Sequence, residues 1–281
     1  MTDGIGFGLL EDGSVFRWGA EYRLDFPFFY GFEDQRWKVI DAGPSSVCGI
    51  NFDDEAICWV QIVGVERVVA LFPNEKPAIG VSTYMSTQCV LYEDLSVYCR
   101  DTTYGEIDIP PDVRVSQVSA GAAYAFGIDA ETGELVQFGE PLFYSLPIPE
   151  GSFQYIHSGF VQGVAIDIDG NLVAYGSDPN LINPIYNLKG FDLPADGPYS
   201  IVVADSFAGG CALRSDQNVE CFTLDGEPYS VLLSPLRTED YFVTLDIARG
   251  NYVCGLLDTG EAHCWGGGVT GRQVTETPML E

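Results

Sequence analysis

Seven copies of one short pattern govern what this chain can fold into. Cys254 to Gly266 reads CGLLDTGEAHCWG, two apolar runs around an Asp-Thr-Gly-Glu turn, which is the signature of a tight β-hairpin. The same pattern recurs as FGLLEDGSVFRWG from Phe7, CGINFDDEAICW from Cys48, CVLYEDLSVYCR from Cys89, FGIDAETGELVQFG from Phe126, VAIDIDGNLVAYG from Val164 and CALRSDQNVECF from Cys211. The starting positions 7, 48, 89, 126, 164, 211 and 254 lie 41, 41, 37, 38, 47 and 43 residues apart. A period near 41 is that of a propeller blade, so the chain reads as an array of repeats.

The cysteines follow the repeat. All eight stand at its first and eleventh positions, as Cys48/Cys58, Cys89/Cys99, Cys211/Cys221 and Cys254/Cys264, so that four repeats have both and three have neither. Independent core cysteines would leave some repeats with one. Across a hairpin turn of this length residues i and i+10 lie opposite each other on one face, and a non-hydrogen-bonded pair brings their Cα atoms to about 4.5 Å, within disulfide reach. Four intra-hairpin disulfides are expected, against the alternative of buried reduced thiols. Zinc fits less well, because the spacing matches no zinc knuckle and His157 and His263 are the only histidines. Disulfides imply an oxidising compartment. The chain is thus expected outside the cell or at its surface, its export signal absent from the sequence shown.

Charge narrows the partners. The 41 acidic residues against 13 basic ones give a net charge of −28. Such a surface repels phosphate backbones and anionic lipid, which argues against nucleic acid as a partner. It serves as a solvating coat, a surface that steers a basic partner, or a weak cation binder. No apolar run approaches the roughly 20 residues of a membrane span, so membrane insertion is not expected.

Other strand-like segments precede the hairpins: 37–43, 115–121, 154–159, 199–205 and 242–248. Small residues where these strands end would let blades crowd together. The run Asp167-Ile-Asp169-Gly-Asn171 resembles a calcium loop but lacks the distal Glu, and it reads as a turn. The intervening segments 20–36, 60–77, 101–114, 140–153, 177–198 and 223–241 are rich in Pro and aromatic residues, with weak helical periodicity. Nothing resembles an interdomain linker, and one all-β domain over 1–281 is expected.

Tyr104-Gly-Glu-Ile-Asp-Ile-Pro-Pro-Asp-Val-Arg-Val-Ser-Gln-Val-Ser-Ala-Gly121 with its following hairpin resembles the repeats of the regulator of chromosome condensation superfamily. It is most similar to the secreted, Cys-containing bacterial branch, through Cys-Gly-Leu at 254–256 and Cys-Trp-Gly at 264–266. The resemblance covers about residues 5–268 and implies a seven-bladed β-propeller of four-stranded antiparallel blades, which with the expected pairing carries intra-blade disulfides. Asp54 and Leu95 depart from it by replacing the turn Gly, and Arg100 by replacing the Trp after the second Cys. Aligning Phe7 with Cys48 places most of the first repeat's inner strand before Met1. The tail 269–281, through Gln273–Thr277, is expected to complete that blade, with strand donation from another subunit as the alternative.

Catalytic patterns are poor. There is no Gly-x-Ser-x-Gly and no nucleotide-binding Gly-x-x-x-x-Gly-Lys-Ser/Thr, and the acid pairs Asp53/Asp54 and Glu239/Asp240 read as solvated turns. No enzyme activity, cofactor or metal is expected. Binding needs aromatic anchors more than charge, and the inter-strand loops supply Tyr22, Phe28, Phe29, Tyr30, Tyr104, Phe143, Tyr144, Tyr186 and Tyr229. As a group these are the candidate contacts of an extracellular recognition module for a protein partner. Each also serves as simple packing under its own loop. The other readings are a self-associating subunit of a filament, coat or appendage, and a carboxylate-dependent hydrolase or lyase.

Overall fold

The computed structural model describes residues 5–19, 31–60, 68–73, 75–139, 148–176, 190–195, 197–205, 209–224, 241–248 and 252–266, all of them strand, turn or extended chain. Two compact units are present, Met1–Tyr144 and Ser145–Glu281. In the first, antiparallel meanders follow one another along the sequence: β1 (Ile5–Leu9) with β2 (Val15–Gly19); β3 (Trp37–Gly43), β4 (Ser46–Asn51), β5 (Ala56–Val60) and β6 (Val68–Leu71); β7 (Ala78–Tyr84), β8 (Thr87–Tyr92), β9 (Val97–Asp101) and β10 (Gly105–Glu106); β11 (Val115–Ala120), β12 (Tyr124–Asp129) and β13 (Leu135–Gly139). The second unit has β14 (Phe153–Ser158), β15 (Gly163–Asp167) and β16 (Leu172–Tyr175); β17 (Tyr199–Asp205), β18 (Gly209–Arg214) and β19 (Val219–Phe222); β20 (Phe242–Ala248), β21 (Tyr252–Leu257) and β22 (Ala262–Gly266). The seven sheets are thus all-β meanders in strict sequence order. A fourth, outermost strand is described in two of them, as β6 and β10; in the others the segment after the third strand lies mostly outside the described residues, as does the tail 269–281.

Each expected hairpin is present, and each cysteine pair is in register, Cys48 opposite Cys58, Cys89 opposite Cys99, Cys211 opposite Cys221 and Cys254 opposite Cys264. All four pairs are disulfides, with Cα atoms 3.9–4.1 Å apart. The repeats without cysteine put Phe7 opposite Arg17, Phe126 opposite Gln137 and Val164 opposite Ala174 at the same two places. Each bridge closes a loop of about ten residues, worth roughly 2–3 kcal/mol in the entropic account.

The core lies between consecutive sheets. Cys48, Ile50, Cys58 and Val60 pack on Ala78, Val90 and Tyr92 of the next sheet, and Val203, Cys211 and Leu213 pack on Phe242, Leu245 and Val253. Within a sheet, the first side chain of the inner strand lies over the residue after the first hairpin position, and the two sizes compensate. Trp37 fills the space that a Cβ on Gly49 would occupy, Val115 does so at Gly127 and Phe242 at Gly255. Where the inner strand begins instead with Ala78, the covered residue is Val90.

Two repeated hydrogen bonds join neighbouring sheets inside each unit. The carbonyl at the last corner of one hairpin turn accepts from the first amide of the next inner strand: Trp37 N to Gly13 O at 2.8 Å, Ala78 N to Asp54 O and Val115 N to Leu95 O at 2.9 Å, Tyr199 N to Gly170 O at 2.8 Å, and Phe242 N to Gln217 O at 3.5 Å. The inner strand is an edge, and unpaired edge amides are costly. Its fifth side chain satisfies the sixth amide of the next inner strand, as Thr83 N to Asp41 Oδ2 (2.6 Å), Ala120 N to Ser82 Oγ (3.0 Å) and Ala204 N to His157 Nδ1 (3.2 Å). Val203 stands at that place and offers no acceptor, and Ile247 N turns to Asp246 Oδ1 of its own strand at 2.8 Å. Close approach also explains a small residue at a strand end: a Cβ on Gly43 would meet Thr83 O of the next sheet at 2.6 Å.

Candidate binding surface

Where both are described, the two ends of a sheet are unlike. At one end sit the turns between second and third strands, and each carries at least one exposed carboxylate, from Glu11, Asp12, Asp53, Glu93, Asp94, Glu131, Glu134, Asp169, Asp216, Asp258 and Glu261. At the other end, the turns between inner and second strands, 44–45, 85–86, 121–123 and 159–162 among the described residues, carry no charge. The acidic turns are built alike. A side-chain oxygen of the first or second turn residue accepts amides two to four residues on: Asp12 from Ser14, Asn51 from Asp53 and Glu55, Asp94 from Ser96, Asp129 from Glu131 and Thr132, Asp167 from Asp169 and Asn171, Asp216 from Asn218, and Thr259 Oγ1 from Glu261. The calcium-like run 167–171 is therefore a turn, with the Asp167 carboxylate taken up by the amides of Asp169 and Asn171 and by Asn171 Nδ2.

These bonds keep the face ionised. The side chain and amide of Ser14 hold Asp12 below the usual carboxylate range, the amides of Thr132 and Glu131 do so for Asp129, and the amide of Asn218 for Asp216. Partial burial pushes Asp167 up, but the hydrogen bonds from Asn171 and from the amides of Asp169 and Gly170 together outweigh it, and the net direction is down. Asp94 is held lowest, by Lys76 and then Ser96. Four cations at this end are ion-paired, Arg36 with Asp12 at 3.6 Å, Lys38 with Asp54 at 2.6 Å, Lys76 with Asp94 at 2.7 Å, and Arg214 with Asp216 at 3.4 Å and Glu220 at 3.1 Å, whereas Arg114 donates to the carbonyls of Pro111 and Val113.

Within each unit, apolar side chains interrupt these carboxylates at the same end of the sheets. Phe52 is 57% exposed and Ile168 68% exposed at equivalent corners of their turns, and Ile79, Tyr241 and Val243 are exposed where inner strands begin. The position of Phe52 and Ile168 carries Glu11, Glu93, Ala130, Ser215 and Asp258 in the other repeats, none of them large and apolar, and that contrast is the signal by which sequence reading could have found them. Of the aromatic residues expected to make contacts, Tyr104 is 67% exposed beyond β9, at the uncharged end. Tyr22, Phe28, Phe29, Tyr30, Phe143, Tyr144, Tyr186 and Tyr229 lie outside the described residues. Inside, burial pushes Tyr92 up to about 12 and His157 down to about 4. Among the described residues, no group of three His, Cys, Asp or Glu side chains is placed to hold a metal ion, and no helix is long and apolar enough to cross a membrane.

No family model and no curated protein matches the sequence. Solved structures do. The ectodomain of the Physcomitrella patens receptor kinase CR4 is 19% identical over 95% of this chain and 71% of its own, with a TM-score of 0.72. The CRINKLY WD40 ectodomain of the Arabidopsis thaliana receptor kinase ACR4 is 19% identical over 99% of this chain and 96% of its own, also at 0.72. Yeast RCC1, solved with Kap60 bound to it, is 14% identical over 85% of this chain and 72% of its own, at 0.60. At such identities the likeness shows the fold: seven antiparallel sheets in sequence, a β-propeller of the RCC1 type.

Proposed function

We propose that the chain is an extracellular, non-catalytic recognition module that binds a protein partner, formed as one propeller domain over residues 1–281 with the tail 269–281 closing its first blade. Within the RCC1-type fold it stands with the secreted, disulfide-bearing type, as its Cys-Gly-Leu and Cys-Trp-Gly sequences suggest. The observation that carries the reading is that in each unit the acidic turn end of the sheets presents exposed apolar side chains, Phe52 on a disulfide-clamped hairpin of the first unit, and in the second Ile168 on a hairpin and Tyr241 and Val243 where an inner strand begins. Apolar anchors ringed by polar groups on rigid supports are what protein interfaces use. Tyr22, Phe28, Phe29, Tyr30, Tyr104, Phe143, Tyr144, Tyr186 and Tyr229 are the further contacts proposed on the loops. The similar receptor ectodomains and the RCC1–Kap60 complex support a binding role for such a scaffold.

The test is capture from a native extracellular fraction, paired with size analysis of the purified chain. A specific foreign partner, lost on Phe52→Ser with Ile168→Ser, is the expected result. Large homopolymers that capture nothing would overturn the reading in favour of a structural subunit. Substrate turnover abolished by one Asp→Asn change would overturn it in favour of an enzyme.

A further inference from the structure

The third sheet has a concave feature on its outer side. Beyond β10 the chain doubles back along β9, held by Ile107 N donating to Cys99 O at 3.0 Å. Val97 and Tyr98 of β9 and the returning residues Glu106, Ile107, Asp108 and Ile109 enclose a cleft of about 330 Å³. Its floor is apolar: Ile107 is 8% exposed, and the Tyr98 ring is half-buried with its edge set against Phe72 at 6.0 Å. Its rim is acidic and open, since Glu106 and Asp108 are both exposed. No Lys, Arg or His lines it. Arg100, opposite Glu106 in the ladder, flanks the cleft, so two carboxylates stand against one guanidinium. Burial and then the Glu106 charge raise the Tyr98 phenol in spite of Arg100, which agrees with a negative potential at the floor.

An apolar floor beneath an anionic rim suits a side chain with an aliphatic stem and a cationic head. The volume is at the small end of ligand pockets, enough for one long side chain and the backbone that carries it. We infer that this cleft takes an arginine or lysine side chain of the protein partner, the stem lying over Val97, Tyr98 and Ile109 and the head between Glu106 and Asp108. The inference rests on the recognition-module reading and names the chemistry of the partner for one blade.

The experiment follows the methyl resonances of Val97, Ile107 and Ile109 in the intact chain during titration with N-acetyl-arginine methylamide, with N-acetyl-norleucine methylamide as the uncharged probe. Saturable shifts confined to the cleft with the cationic probe are expected, weakened about tenfold in Glu106→Gln/Asp108→Asn. Equal shifts with the norleucine probe, an unchanged titration in the double variant, or shifts spread evenly over the acidic turns would overturn the assignment. Partner capture separates the two readings. If Glu106→Gln/Asp108→Asn captures the partner as well as the parent chain does, the cleft is excluded and the module stands. If the parent captures no partner while the probe still saturates the cleft, the module fails and the partner assignment fails with it.

Discussion

One backbone position recurs in all seven hairpin turns, a left-handed residue at the last corner. Gly fills it four times, as Gly13, Gly133, Gly170 and Gly260, while Asp54, Leu95 and Gln217 hold φ of 63°, 63° and 69°. A side chain costs about 1–2 kcal/mol in that conformation, partly offset by the greater freedom of Gly in the unfolded chain. Gln217 is exposed, so Gln217→Gly should raise stability by roughly 0.5–1 kcal/mol in a denaturant melt. Gly170→Gln should lower it by more, because a Cβ there meets Pro198 Cβ at 2.5 Å. The cysteines yield a second prediction. Cys48, Cys58, Cys89 and Cys99 are fully buried, whereas Cys254 and Cys264 are half-buried. Graded reduction followed by alkylation and mass mapping should open Cys254–Cys264 first, since thiol exchange needs access to sulfur. His157 supplies the third. Burial pushes it down to about 4, so its neutral form is the one folded. The stability it contributes is complete above about pH 6.5 and is lost as pH falls toward 4. Between pH 7 and 5 the loss should be on the order of 1–2 kcal/mol, and His157→Gln, which keeps an acceptor for Ala204 N, should flatten that part of the profile.

At the scale of the strand, what the sequence displayed was the hairpin and what it concealed was the join. Period-two apolar runs around Asp-Gly turns fix both strands of a hairpin locally, and the paired cysteines set the register, because residues ten apart meet only one way across such a turn. β7 is harder to read than the other inner strands: it begins with Ala78 and carries Gly80, and the apolar bulk stands instead on the partner strand at Val90 and Tyr92. The amide-to-side-chain joins left no trace in composition, since Asp41, Ser82 and His157 share only the ability to accept a hydrogen bond. Ser82→Ala should cost about 1–2 kcal/mol by leaving Ala120 N unpaired, and Ser82→Asp should recover most of it, as Asp41 does the same task one sheet earlier. Thermal melts of the three proteins would show the order; equal loss in both variants would mean that packing, not the hydrogen bond, matters there.

For the molecule as a whole, the fold class was open to sequence reading because each repeat states it again, whereas the exposed anchors were not. Phe52 and Ile168 are conspicuous only once their turns are known to share one end of the sheets. A net charge of −28 with Arg36, Lys38 and Lys76 already paired means that much of the surface repels itself. Raising salt from about 10 mM to about 150 mM, which shortens the screening length from about 30 Å to about 8 Å, should raise the melting temperature. A decrease would mean that the surface ion pairs outweigh the repulsion.

The carbonyls that join one hairpin turn to the next inner strand belong to the main chain. Gly, Asp, Leu and Gln all present the same oxygen to the neighbour, so stacking is indifferent to which side chain stands at the corner. Selection can therefore rewrite the outward residues of a turn without renegotiating the architecture beneath it. A lineage built on this plan can change its binding specificity quickly while its scaffold stays fixed, and related chains should diverge fastest at the corners where their blades are most alike in backbone.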